Sequence, residues 1–173
     1  MDAMAEASTP TPFQALIDAH AGAVAVFLRG IVPADDVDDV LQETLVAALG
    51  AYPRFDGANP RAWLLTIARR KAVDEHRSRA RRPDRLAEPD AVAAAGGRDQ
   101  RGGELWSRVA ALPPKQRAAI VLRFALDLRY REVGAALGCS EEAARRNVHE
   151  GVRTLRAAEA DARLTATSEE SPR

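Results

Sequence analysis

Arg145, Arg146, Asn147, His149 and Arg153 fall within nine residues and carry the side chains best suited to reading a nucleic acid. An arginine fork matches the O6 and N7 edge of guanine, an asparagine amide matches adenine, and further arginines clamp phosphate. Their use depends on what holds them. Val133 and Leu137 stand one helical turn apart, and Ala144 and Val148 repeat that spacing beyond Gly138-Cys139-Ser140. Such spacing closes a small core between two crossing helices, over 130–137 and 140–155. Gly134 and Ala135 are small where the helix backbones must approach. Gly138 can take the positive φ of a sharp turn, Ser140 is a good N-cap, and Glu141 and Glu142 suit the positive end of the second helix. The pattern predicts a helix-turn-helix with a basic outer face. A plain helical hairpin with a solvated basic face would share the spacing, and DNA binding is the expectation carried forward.

A second constellation is acidic: Asp35, Asp36, Asp38 and Asp39, followed by Gln42 and Glu43. The run fits the D-D-x-x-D pattern in which aspartates hold Mg²⁺ against a diphosphate. That chemistry needs a second acidic cluster across a deep apolar cavity, and none follows in the sequence. Cys139 has no partner for a disulfide, and His20, His76 and His149 lack metal-ligand spacing, so neither a zinc site nor any other metal or cofactor is expected. Cys139 reads as a small buried apolar residue.

The elements that must position these residues are helical throughout. Residues 1–10 are small and polar. Pro12 opens a helical period through Phe13, Leu16, Ile17, Val24, Phe27 and Leu28, which ends at Gly30 and Pro33. Asp35 or Asp36 can cap a second helix with Val37, Val40, Leu41, Thr44 and Ala48 on its inner stripe. Asp38, Asp39, Gln42 and Glu43 then lie outside that stripe. Residues 50–60 hold two glycines and two prolines and read as a loop bearing Tyr52 and Phe55. A third helix over 61–82 is apolar at first, with Trp63 as a core anchor, and basic later. From 83 to 103 the period disappears among Ala, Gly and Pro, with Gly96-Gly97 and Gly102-Gly103 as breaks, so this stretch is expected to be a flexible linker. Helical period returns from Glu104 through Val109 and Leu112, breaks at Pro113-Pro114, and continues through Ile120, Val121 and Phe124. Phe13, Phe27 and Phe124 are expected in the core, and the tail from Ala157 is expected not to pack. The fold class is therefore all-α, with two small helical domains over 11–82 and 104–160 joined by a linker over 83–103.

Net charge is zero, yet the charges are segregated. Residues 1–63 carry nine acids against three arginines, net −6, whereas 64–82 are net +5 and 104–156 net +4. An acidic half followed by two basic patches suits two partners, a polar protein surface and a polyanion. No apolar run approaches the roughly 20 residues that span a bilayer, and the N-terminus lacks a secretory pattern, so a cytoplasmic protein without membrane insertion is expected.

In this order the segments resemble the extracytoplasmic-function group of bacterial sigma factors, over about residues 12–156. Asp35 to Thr44, with its Gln42-Glu43 pair, is similar to the family's acidic segment. Tyr52 to Gly57 and Ala62 to Arg69 resemble its promoter-melting segment. Leu112-Pro113-Pro114-Lys115-Gln116-Arg117 and Gly138-Cys139-Ser140 resemble the opening and turn of its C-terminal domain. The resemblance implies an alternative sigma factor without bond chemistry of its own. Asp39, Gln42 and Glu43 would dock on the clamp helices of the largest subunit of RNA polymerase core. Tyr52 and Phe55, with Arg69, Arg70 and Lys71, would capture the −10 element of promoter DNA as a single strand, since melting needs a ring pocket and backbone cations. Arg145, Arg146, Asn147, His149 and Arg153 would read the −35 duplex. An anti-sigma factor is a further partner that the resemblance admits. Arg70 replaces a frequent family asparagine, and Glu150 a frequent basic residue, which leaves the promoter sequence open. A helix-turn-helix regulator acting without polymerase core is the alternative; it accounts for 104–156 but not for the Gln42-Glu43 helix or the Trp63 segment.

The loss of period over 83–103 has a direct test. Limited proteolysis is expected to cut first between Pro83 and Gly103 and yield two helical fragments, whereas resistance there would mean a covered linker.

Overall fold

A computed structural model describes residues 12–81 and 100–169, with side chains over 12–79, 81 and 103–161. The expectations for residues 1–10 and for most of the linker lie outside the described residues. Helix α1 spans Phe13–Arg29, enters directly after Pro12 and buries Leu16, Val24, Phe27 and Leu28 on one stripe. A 3₁₀ turn, Ala34–Asp36, leads into α2, Val37–Ala51. The inner stripe of α2 is Val37, Val40, Thr44 and Ala48. Thr44 is fully buried, and its hydroxyl is satisfied by donating to the Val40 carbonyl at 2.7 Å. Asp36 occupies the N-cap position of α2, but its side chain makes no capping bond. Its Oδ2 lies 2.7 Å from Arg79 Nε instead. An ion pair with a guanidinium thus takes the place of a bond to a backbone amide.

The stretch expected as a loop over 50–60 is shorter. Gly50 and Ala51 complete α2, and Tyr52–Arg54 form a 3₁₀ turn. Asn59 then adopts a left-handed φ of 43° and accepts from the Ala62 amide at 3.1 Å. With Pro60 in the first helical position, this cap starts α3, Pro60–Ala80. Ala62, Leu64, Leu65, Ala68 and Ala72 of α3 are buried, and α1, α2 and α3 form the first bundle.

The second bundle holds α4 (Gln100–Ala110), α5 (Pro114–Ile120), α6 (Tyr130–Leu137) and α7 (Glu141–Glu169). Helix α4 corrects the linker boundary, because it begins at Gln100 and runs through Gly102-Gly103. Trp106 packs against the core and Val109 is buried in it, so the packed face sustains helix through two weak formers. Helix α5 passes into a π-helical turn, Val121–Ala125, where the Leu126 amide donates to the Val121 carbonyl. The wider turn takes the residues after Val121 out of α register, and Phe124 is 61% exposed rather than in the core. Helix α7 also corrects its expected end. It continues past Ala157, although the side chains of 157–161 are exposed.

The helix-turn-helix comprises α6 and α7. Val133, Ala136, Ala144 and Val148 form its buried seam; Ala136 takes the inner place expected for Ala135, which is exposed, and Leu137 is half-buried. Gly138 is left-handed (φ 63°, ψ 41°), and the Cys139 amide donates to the Gly134 carbonyl at 2.9 Å. The Ser140 hydroxyl accepts from the Ala143 amide at 3.2 Å, which caps α7.

The two bundles touch. Arg61 on α3 donates to the Leu126 carbonyl at 2.7 Å, and Thr66 on α3 lies 3.4 Å from the Ala135 carbonyl. The buried side chains of both bundles form one contiguous cluster.

Two alanine substitutions separate close packing from helix propensity. A Cβ at Gly134 would stand 2.8 Å from the backbone oxygen of Cys139, whereas one at Gly22 in α1 would meet nothing within 4 Å. Thermal melts are expected to show Gly134→Ala losing about 1–3 kcal/mol. Gly22→Ala is expected to be neutral or to gain about 0.5–1 kcal/mol.

Candidate nucleic-acid interface

Three surfaces carry the residues singled out from the sequence. On α2, Asp39, Gln42 and Glu43 are exposed, opposite the buried stripe. Val46 and Leu49 continue the same face at helical spacing and are 66% and 55% exposed. They were not singled out, although the i+3 and i+4 steps from Gln42 and Glu43 mark them. An acidic end beside an apolar end is a composition suited to a protein partner. Glu43 Oε2 is paired with Lys71 Nζ at 3.4 Å, a partly exposed bridge of the weak kind.

The second surface is a cavity of about 450 Å³ between α1 and the chain that enters α3. Tyr52 and Phe55 line it with Leu16, His20, Asp56 and Pro60. The rings belong to a ladder in which Phe13 meets Tyr52 edge-on at 5.2 Å, Tyr52 meets Phe55 at 6.4 Å, and Phe55 stacks on Trp63 at 4.4 Å. Tyr52 and Phe55 thus both pack and line the cavity, and Trp63 backs them as the half-buried support. His20 faces this cavity. Its place on α1, three turns before any loop signal, gave no hint of it in the sequence. Asp56 is already engaged, since its Oδ1 accepts from the Ala58 amide at 2.9 Å.

The three cations on α3 do not act as a block. Arg70 is exposed, and Lys71 turns to Glu43. Arg69 points toward α6, its Nη2 3.4 Å from where a Gly138 side chain would begin. All three sit about nine residues, or ~14 Å, along α3 from the cavity at Pro60.

The third surface is the start of α7, and its candidates divide between two faces. Arg145, His149 and Arg153 follow each other at steps of four and are all exposed. Arg145 is held by Glu141 at 3.2 Å and lies 5.0 Å from the centroid of the Tyr130 ring. Arg123 approaches the same ring at 5.6 Å. A hydrogen bond from Arg123 to Asp127 at 2.8 Å, with Tyr130 adding to it, raises this guanidinium above its ordinary pKa. Arg146 and Asn147 border instead a groove of about 770 Å³ between the bundles, together with Arg69 and Cys139. Glu150 borders it too and accepts from Gln116 on α5 at 3.3 Å, so it is tied to its own bundle. Among the described residues no three His, Cys, Asp or Glu side chains converge as metal ligands, and Asp36 is committed to Arg79. No described helix is long and apolar enough to cross a membrane.

Comparison with known proteins adds to this geometry. Residues 16–82 match the model of sigma-70 region 2, and residues 102–155 match sigma-70 region 4. The chain is 35% identical over 133 residues to the ECF RNA polymerase sigma factor SigC of Mycobacterium tuberculosis, covering 73% of this chain and 71% of that one. It is 28% identical over 161 residues to the ECF RNA polymerase sigma factor SigX of Bacillus subtilis, covering 83% and 81%. Among solved structures, it resembles the sigma factor RpoE in complex with the anti-sigma factor NepR from Bartonella quintana. That match has a TM-score of 0.72 and 25% identity over 84% of this chain and 94% of that one. It also resembles CnrH in complex with the cytosolic domain of CnrY, with a TM-score of 0.65 and 32% identity over 87% and 88%.

Proposed function

The chain belongs to the extracytoplasmic-function group of the sigma-70 family, and on that premise we propose how its surfaces divide the work of an alternative sigma factor. As such a factor it binds RNA polymerase core and directs promoter recognition and initiation. The observation that carries the division is that one chain holds an exposed acidic helix face on α2 and an exposed arginine face on the second helix of a helix-turn-helix. A DNA-binding regulator would need the second face and have no use for the first.

Asp39, Gln42 and Glu43 dock on the clamp helices of the largest polymerase subunit, with Val46 and Leu49 adding apolar contact. The cavity beside Tyr52 and Phe55 receives an unstacked base of the −10 element. Rings already packed against Trp63 lose little freedom when a base stacks on them. Arg70 and Lys71 attract the backbone of the open strand, and Lys71 is available once Glu43 is engaged elsewhere. Arg69 joins them when α3 is free of α6. In the −35 duplex Arg145 and Arg146 reach base edges from the start of α7, Asn147 lies beside them, and His149 and Arg153 serve phosphate. A protein of the anti-sigma kind is a further partner, as NepR is for its RpoE relative. These partners belong to the cytoplasm.

Polymerase docking and promoter reading have separate tests. Replacing Asp39 and Glu43 by Lys is expected to weaken association with core by roughly tenfold or more while leaving the circular-dichroism melt unchanged. Unaltered copurification of the double variant would remove this docking surface.

For DNA, Arg146→Ala is expected to cost about 1–3 kcal/mol and relax preference at one −35 position. Lys71→Ala is expected to reduce opening on all promoters and to lower the salt dependence of binding. Permanganate footprinting with in vitro selection reads both, using holoenzyme. If Arg146→Ala abolishes melting without touching −35 preference, while Lys71→Ala shifts that preference, the two bundles have been assigned the wrong elements.

A further inference from the structure

Arg145 lies in the second turn of α7 with 62% of its side chain exposed. A free arginine must be ordered before it can read a base edge, and that loss of rotamer freedom weakens binding. Arg145 is not free. Two groups hold it, and they hold it in different ways. Glu141, one turn earlier on the same helix, takes Nη2 at 3.2 Å. Nη2 is one of the donors that a guanine edge can use. The ring of Tyr130 instead meets the guanidinium carbon, which lies over it at 5.0 Å from the centroid. A contact through the face of the ring leaves the in-plane N–H groups free for a base.

Tyr130 can serve as a support because it is itself fixed, and by elements other than α7. It is the first residue of α6 and is half-buried against the core. Glu132 Oε2 accepts from the Arg129 amide at 2.9 Å and closes the first turn of α6. Just before it, Leu128 is buried and its amide donates to the Leu122 carbonyl at 3.1 Å. Arg123 also comes within 5.6 Å of the ring centroid, but it is tied to Asp127 at 2.8 Å. Of the two cations at this ring, Arg145 is the one that the start of a recognition helix presents to a duplex.

We propose that Tyr130 is a positioning residue for promoter reading: its ring fixes the Arg145 guanidinium ahead of DNA binding and so sharpens base preference at one −35 position. The proposal rests on the −35 assignment of Arg145 above and names what enforces it. Glu141 has the opposite part, since it competes with the base for Nη2.

The test uses the full chain with polymerase core and promoter fragments carrying each base in turn at each −35 position, with relative binding as the readout. Arg145→Ala should reduce discrimination about fivefold or more at one position. Tyr130→Leu keeps apolar bulk and removes the ring; it should reduce discrimination at that same position about two- to fivefold. Added to Arg145→Ala it should change discrimination by less than about twofold, because the ring acts only through that arginine. Tyr130→Phe keeps the ring and should keep the preference, and Glu141→Ala should keep it too. Mere loosening of α6 would lower affinity for every sequence alike and leave the preference unmoved.

Preference retained in Tyr130→Leu, or lost in Tyr130→Phe with an unchanged thermal melt, overturns the proposal. Preference lost in Glu141→Ala overturns it as well, since the carboxylate would then be the holder. The Phe and Glu141 arms stand whether or not the Leu variant folds. If Arg145→Ala itself leaves every position unmoved, the −35 assignment of Arg145 fails, a result that no Tyr130 variant can imitate.

Discussion

Helix α3 is packed on more than one side, and the placement of every functional surface follows from that. Leu64 and Leu65 are adjacent, about 100° apart around the helix, and neither has any exposed surface. A helix covered by one neighbour hides one stripe; two consecutive residues at zero exposure require cover over a wider arc. Helices α1 and α2 supply part of it and α6 supplies more. Burial on this scale is worth on the order of 1.5–3 kcal/mol for each leucine. The same packing orients the rest of α3. Once Leu64, Leu65 and Ala68 are fixed, Arg69 must face α6, Arg70 must face solvent and Lys71 must fall beside Glu43.

Hydrogen bonds and an ion pair refine what packing sets. Arg61 reaches across to a carbonyl that a turn leaves without a helical partner, and Asn59 caps α3 one step earlier. Arg79 meets Asp36 at the far end of the same helix. Helix α3 is thus tied at its start, middle and end, each time to a different element. Its charges are partly committed to structure, which is why a basic patch counted from sequence overstates the cations available to DNA.

Much of this was legible beforehand. The period of Val133, Leu137, Ala144 and Val148, with Gly138 and Ser140, gave the helix-turn-helix, since each residue acts through local geometry alone. The acidic face of α2 was legible because exposure on a helix follows from the buried stripe beside it. Long-range or subtle causes were not. Asp36 looked like a cap because Arg79 lies 43 residues away in sequence. Phe124 looked like core because nothing in Val121–Ala125 announces a π turn. Gly102-Gly103 looked like a break because the weight of Val109 and Trp106 in the packed face is not a local property. His20 was silent, being one polar residue on α1 until Tyr52 and Phe55 were folded across from it. The division of α7 into two faces was available from the spacing 145, 149, 153, but which face met another bundle was not.

Helix α7 has a consequence for how the chain breathes. It is 29 residues long, about 44 Å, and its clasped part ends near Leu155. A free peptide of the remaining length would be marginal as a helix in water, because initiating the first turn is costly. Here initiation is already accomplished by the segment pinned between α5 and α6, and the outer turns need only propagate from it. Their order is borrowed, not their own. Amide exchange along α7 should therefore slow toward Val148 and quicken turn by turn beyond Leu155, a gradient along one continuous helix instead of a boundary between helix and coil.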